Sequence, residues 1–80
     1  MALRIRLTRM GAKKRPFYRI VVMDSKKARD GKYLDLVGNY DPMKEPLDIT
    51  IDKDKAASWM QKGAIPSDTV KQLFRRQGVI

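Results

Sequence analysis

Eighty residues suffice for one domain, and a chain this short hides only about 60% of the surface that its unfolded form exposes. The sequence has no cysteine and no histidine. That excludes disulfides, thiolate nucleophiles and zinc fingers, and removes the commonest general base and transition-metal ligand. The formal charge is +9, and residues 1–32 carry all of the excess: eleven Lys or Arg against two acids, while residues 33–80 carry seven of each.

In chain order, Leu3-Arg4-Ile5-Arg6-Leu7 alternates apolar and cationic residues, the period of a strand with one buried face. Residues 11–16, GAKKRP, hold a glycine, a proline and three cations without periodicity, and predict a loop that is mobile without a ligand. Phe17–Met23 predicts a second strand with Tyr18, Ile20 and Val22 on one face and Phe17, Arg19, Val21 and Met23 on the other. Residues 25–32, SKKARDGK, predict a second cationic connection that ends on the Asp30-Gly31 turn signal. Tyr33–Val37 predicts a third strand, broken by GNYDP at residues 38–42. Pro46 keeps the following segment extended or turning, and Asp48–Ile51 predicts a short fourth strand with Ile49 and Ile51 inward.

The pattern then becomes helical. Asp52 can cap a helix over Lys53–Lys62 with Ala56, Trp59, Met60 and Gly63 on one side, Gly63 serving as the stop. Ser67 can cap a second over Asp68–Gln77, with Val70, Leu73 and Phe74 as its apolar stripe and Gly78 as its stop. Asp68 in the first turn and Arg75 and Arg76 in the last suit the helix dipole. Trp59, Met60, Val70, Leu73 and Phe74 are expected to hold the helices on the sheet. Strands first and helices last predict an α+β fold: a small, mainly antiparallel or mixed sheet of four to five strands with two helices packed at one side. With no linker or repeat, residues 1–80 form a single domain. The longest apolar run, Ile20-Val21-Val22-Met23, is far too short for a membrane span or a signal-peptide core, so a soluble intracellular protein is expected.

No catalytic constellation can be assembled. A nucleophile would have to be Ser25, Ser58 or Ser67, and Ser67 reads as a helix cap while Ser25 opens a turn. Asp52 and Asp54 do not face each other at a helix start, and Asp24 and Asp30 flank a basic segment that they balance rather than a metal. The glycines are isolated, so no phosphate loop is present. No cofactor, metal or small-molecule substrate is expected.

Arg4 and Arg6 alone could be the solvated face of an edge strand, where charge prevents edge-to-edge pairing. That reading weakens once Lys13, Lys14, Arg15, Lys26, Lys27, Arg29 and Lys32 are added, because protection of an edge does not need a stripe of one sign. The two basic segments adjoin opposite ends of the second strand, so the cations run along the sheet. Such a stripe suits arrayed phosphates. Six of the eleven cations are arginine, whose planar fork grips phosphates or stacks on bases, which favours structured RNA over an anionic lipid surface. Phe17 and Tyr18 could add stacking, although their opposite faces assign one of them to the core.

The run from Leu3 to Arg9, followed by Gly11 and by Lys14-Arg15-Pro16-Phe17-Tyr18-Arg19-Ile20-Val21-Val22, resembles the family of the sixteenth protein of the bacterial small ribosomal subunit. The similarity continues through Arg29-Asp30-Gly31, residues 38–42 and WMQKGAIPSDT at 59–69; Ser58 and Ile65 depart from the pattern, where an aromatic and a glutamine are common. The resemblance implies a cytoplasmic, ribosome-bound structural protein that binds 16S ribosomal RNA, stabilises its folded 5′ region during assembly, neighbours other small-subunit proteins, and has no catalytic duty. A monomer is expected when free. The residues expected at the RNA are Arg4, Arg6, Arg9, Gly11, Lys13, Lys14, Arg15, Tyr18, Arg19, Lys26, Lys27, Arg29, Gly31 and Lys32, the two glycines allowing close backbone approach. The alternatives are a free-standing nucleic-acid-binding module or RNA chaperone and, more distantly, a metal-dependent nuclease using Asp24 or Asp30.

Overall fold

In the computed structural model, which describes residues 2–26, 33–44 and 48–80, ten antiparallel pairs join β1 (Leu3–Ala12) to β2 (Arg15–Asp24). The sheet grows from this hairpin on both edges. β3 (Asp35–Asp41) pairs antiparallel with β2, and β4 (Asp48–Ile51) pairs antiparallel with β3. α1 (Lys53–Gln61) then leads the chain to the far edge, where β5 (Ile65–Pro66) lies parallel to β1, and α2 (Asp68–Arg76) follows. The strand order is β4-β3-β2-β1-β5. This mixed five-stranded sheet with two helices on one side is the α+β architecture expected from the sequence.

Period-two alternation assigns the faces. Leu3, Ile5, Ile20 and Val22 meet Ala56 of α1 and Val70, Leu73 and Phe74 of α2 in one buried cluster. Each large side chain withdrawn completely from water there contributes about 1.5–3 kcal/mol. Trp59 and Met60 are half-buried against the same cluster, so the residues expected to hold the helices all do so. The caps are also as expected: Asp52 accepts the Lys55 amide at 3.1 Å, and Ser67 accepts the Val70 amide at 3.3 Å. Each helix ends one residue earlier than its pattern suggested, at Gln61 and Arg76.

Two expectations are corrected. Residues 11–16 are not a loop: β1 runs through Gly11 and Ala12, the chain reverses over Lys13-Lys14, and Arg15 and Pro16 open β2. Pro16 is tolerated because even-numbered residues of β2 turn their backbone polar groups toward β3, as Val22 does in accepting the Leu34 amide at 2.7 Å. Pairing with β3 covers only Tyr18–Val22, so no ladder bond is lost at Pro16.

Second, residues 38–42 do not break the third strand, which starts two residues later than expected and continues to Asp41. The turn begins there, with the Asp41 carboxylate accepting the Met43 amide at 3.0 Å. Gly38 belongs inside the strand because β4 crosses it closely; a Cβ at Gly38 would strike the Thr50 carbonyl and come within 3.0 Å of the Ile51 Cα. β5 supplies the fifth of the expected four to five strands; two residues are too short to show a period, and its existence depends on tertiary pairing with Arg4 and Ile5.

Asp35 ties β3 to α1. Its carboxylate accepts the Trp59 indole N–H at 3.0 Å, the Lys55 ammonium at 3.1 Å and the Leu36 amide at 2.9 Å. The Trp59 and Lys55 hydrogen bonds hold its pKa below the ordinary 3.8, with burial opposing them. A lowered carboxylate pKa contributes stability that is fully present above the unfolded value and lost as pH falls through the folded one. Asp35→Asn is therefore expected to lower the urea midpoint at neutral pH and to converge on the parent as pH drops below 3.8; a gap that stays constant with pH contradicts the clamp. Gly38→Ala is expected to cost about 1–3 kcal/mol, read from the same denaturation curves, because β4 must move away.

Candidate nucleic-acid interface

The register that buries Ile5 turns Arg4 and Arg6 to the opposite face of the sheet, and both are exposed. Their cross-strand partners are Met23 and Val21, which are buried at 5% and 0% exposure although they lie outside the helix-side cluster. Directly opposed side chains in a sheet sit about 4.5–5.5 Å apart at Cβ, so the arginine stems start beside these apolar groups. Arg19 shares this face, beside Thr8 on one strand and Asn39 on the other, and its guanidinium donates to the Tyr33 hydroxyl at 3.5 Å. The structure thus brings Arg4, Arg6 and Arg19 together.

Beyond the Arg9–Tyr18 row the hairpin has no third strand: β3 reaches only Tyr18 and β5 only Ile5. Residues 10–17 therefore project as a two-stranded arm with Lys13 and Lys14 exposed at its tip. Two interactions steady it. The Arg9 guanidinium donates to the Lys13 carbonyl at 3.2 Å, and Arg15 pairs with Asp41 at 3.4 Å. The second is an exposed ion pair, of the kind that contributes little and yields readily to a stronger anion. Arg9 points to the helix-side face by alternation, opposite Tyr18, and so does not join Arg4 and Arg6.

Gly11 has a structural duty apart from any ligand. Its φ is +84°, and a Cβ there would lie 2.6 Å from the Arg15 carbonyl and 3.0 Å from the Phe17 ring. Tyr18 is half-buried on the helix side and stacks on Tyr40, with centroids 5.9 Å apart and planes 25° apart. The aromatic on the arginine face is Phe17, half-buried between the neighbours Arg15 and Arg19 on that side. Alternation along the strand carried that signal. Lys26 lies exposed in the turn after β2, at the end of the sheet remote from the arm; its amide donates to Asp24 at 3.0 Å. Asp24 is buried and closes that turn, and no group of three or more acidic residues that could hold a metal exists among the described residues. Lys27, Arg29, Gly31 and Lys32, like Asp30, lie outside the described residues.

Among the described residues the ion pairs are Arg15–Asp41, Lys44–Asp48 and Lys55–Asp35, so Arg4, Arg6, Arg9, Lys13, Lys14, Arg19 and Lys26 have no acidic partner there. A strand pair with a row of cations on one face that have no acidic partner among the described residues, ending in a cationic arm, can track a phosphate backbone. The family model described as ribosomal protein S16 matches residues 9–67, which span the arm, the whole sheet except the start of β1, and α1. The chain belongs to the ribosomal protein S16 family.

This S16-family chain is 61% identical over all 80 residues to small ribosomal subunit protein bS16 of Caldanaerobacter subterraneus subsp. tengcongensis, covering 98% of that relative. It is 59% identical over its full length to the protein of that name from Caldicellulosiruptor saccharolyticus, covering 99% of it. Over 76 residues, 95% of this chain and 81% of the relative, it is 60% identical to the one from Thermosipho africanus. The family is one of structural ribosomal proteins and not of enzymes, in keeping with the missing catalytic constellation.

Proposed function

We propose that the chain is a structural constituent of the small ribosomal subunit, that it binds 16S ribosomal RNA through the cationic face of β1–β2 and the arm, and that it stabilises the folded RNA during subunit assembly. The observation that carries this reading is the one-sided display of Arg4, Arg6 and Arg19 on a sheet whose other side is fixed by the core. Lys13 and Lys14 extend the contact at the arm, Lys26 at the opposite end, and Lys27, Arg29 and Lys32 from the connection to β3. Arg15 exchanges Asp41 for a phosphate, and Arg9 reaches the RNA from the other side of the arm. Gly31 allows close backbone approach, and Phe17 offers the stacking surface on the cationic face, with Tyr18 meeting a base only by the edge that Tyr40 leaves free. The relatives are small-subunit proteins by name, which favours the same setting here, in the bacterial cytoplasm beside other proteins of that subunit. Residues 1–80 act as one binding unit.

Neutralising about seven phosphates predicts that the logarithm of affinity for the 5′ region of 16S RNA falls with the logarithm of salt with a slope of about −5 to −6. Replacing Lys13, Lys14 and Arg15 together by alanine is expected to flatten that slope by about two to three units, measured by filter binding across a salt series. An unchanged slope removes the arm from the interface.

A further inference from the structure

We propose that the groove between β1 and β5 receives one unpaired nucleotide of the bound RNA, its base against Ile65 and Leu7 and its phosphate on Arg4 or Arg6. The proposal rests on the RNA-binding reading above and adds a subsite to it. The groove opens where β5 ends. The Ser67 amide donates to the Ile5 carbonyl at 2.9 Å, after which the chain turns away into α2. Odd-numbered residues of β1 therefore direct their backbone polar groups to this edge. Leu7 is the next such residue, and β5 offers it no partner because its pairing stops at Ile5. A backbone donor and acceptor thus face the groove side by side, which is what the hydrogen-bonding edge of a nucleobase requires.

The walls suit the rest of a nucleotide. The space is about 470 Å³ and open to solvent, within the range of small-ligand clefts. Ile65 is 51% exposed on its rim, a large apolar side chain that burial against a base would withdraw from water. Arg4 and Arg6 line the opposite side, with no acidic partner among the described residues. The Thr69 hydroxyl is exposed on the rim, while the Ser67 hydroxyl is engaged by the Val70 amide. Asp68, in the first turn of α2, disfavours an anion at the helix start and leaves the phosphate to the arginine side. A peptide strand added to this edge would use the same Leu7 groups but leave both arginines without a counter-charge.

The test is ultraviolet crosslinking of the full-length chain to the 5′ region of 16S RNA carrying 4-thiouridine, with the attached peptide identified by mass spectrometry, alongside affinity measurements on Ile65→Ala and Thr69→Ala. Both positions are exposed, so the variants keep the fold. The expected result is a crosslink from an unpaired position to the segment holding Leu7 or Ile65. Ile65→Ala should bind about fivefold more weakly, with an unchanged salt slope because no phosphate contact is lost. A chain that binds the RNA normally but gives no crosslink on these segments, or whose Ile65→Ala variant keeps its affinity within about twofold, overturns this subsite alone. A parent chain that does not bind the RNA overturns the function reading and the subsite together.

Discussion

The register between β1 and β2 governs the rest of the structure. With Ile5 opposite Val22 and Leu7 opposite Ile20, one face of the hairpin is apolar enough to receive both helices. The same pairing leaves Arg4 and Arg6 on the other face, because side chains alternate with a period of two. A slip of one residue would send the arginines into the core and the isoleucines into water, so the register is enforced by the burial of several large side chains at once. The cationic face and the core are therefore both set by one strand pair.

The electrostatics of the cationic face follow from magnitudes. Two unit charges about 7 Å apart, the spacing of alternate residues in a strand, repel by about 0.6 kcal/mol in water, and by less once salt screens them. Burying one large apolar side chain outweighs several such repulsions. The sheet can therefore hold a cationic face without a partner, at a cost that a polyanion removes. Arg4 and Arg6 are exposed beside the buried Met23 and Val21, so their charged heads stay hydrated. The arm is different in kind. With two strands only, it depends on Arg9 bracing the turn carbonyl, on the left-handed Gly11 and on the Arg15–Asp41 pair.

Elements whose cause is local were legible in the sequence. Alternation at residues 3–7 and 17–23, the caps Asp52 and Ser67, and the stripe Val70, Leu73, Phe74 all act within one or two turns of chain, and all are present as expected. The departures share another cause, in that distant backbone decides them. Gly38 looks like a strand breaker until β4 is seen crossing it, and Pro16 looks like one until the side of its missing amide is known. β5 exists only because β1 has an edge to offer. At the candidate interface alternation put Phe17 beside Arg19, but the set grouped from charge and aromatic character also held Arg9 and Tyr18, which turn to the helix side. The Trp59–Asp35 hydrogen bond, which no local pattern announces, fixes α1 over β3.

The hairpin separates a packing face from a cationic face. The most direct measurement of RNA binding through the cationic face is backbone and arginine side-chain NMR of the labelled chain titrated with the 5′ region of 16S RNA. The largest shifts are expected on Arg4, Arg6, Arg19 and residues 13–15, with α1 and β4 little changed. Perturbations centred on α1 and β4, with Arg4 and Arg6 unmoved, would contradict binding through that face.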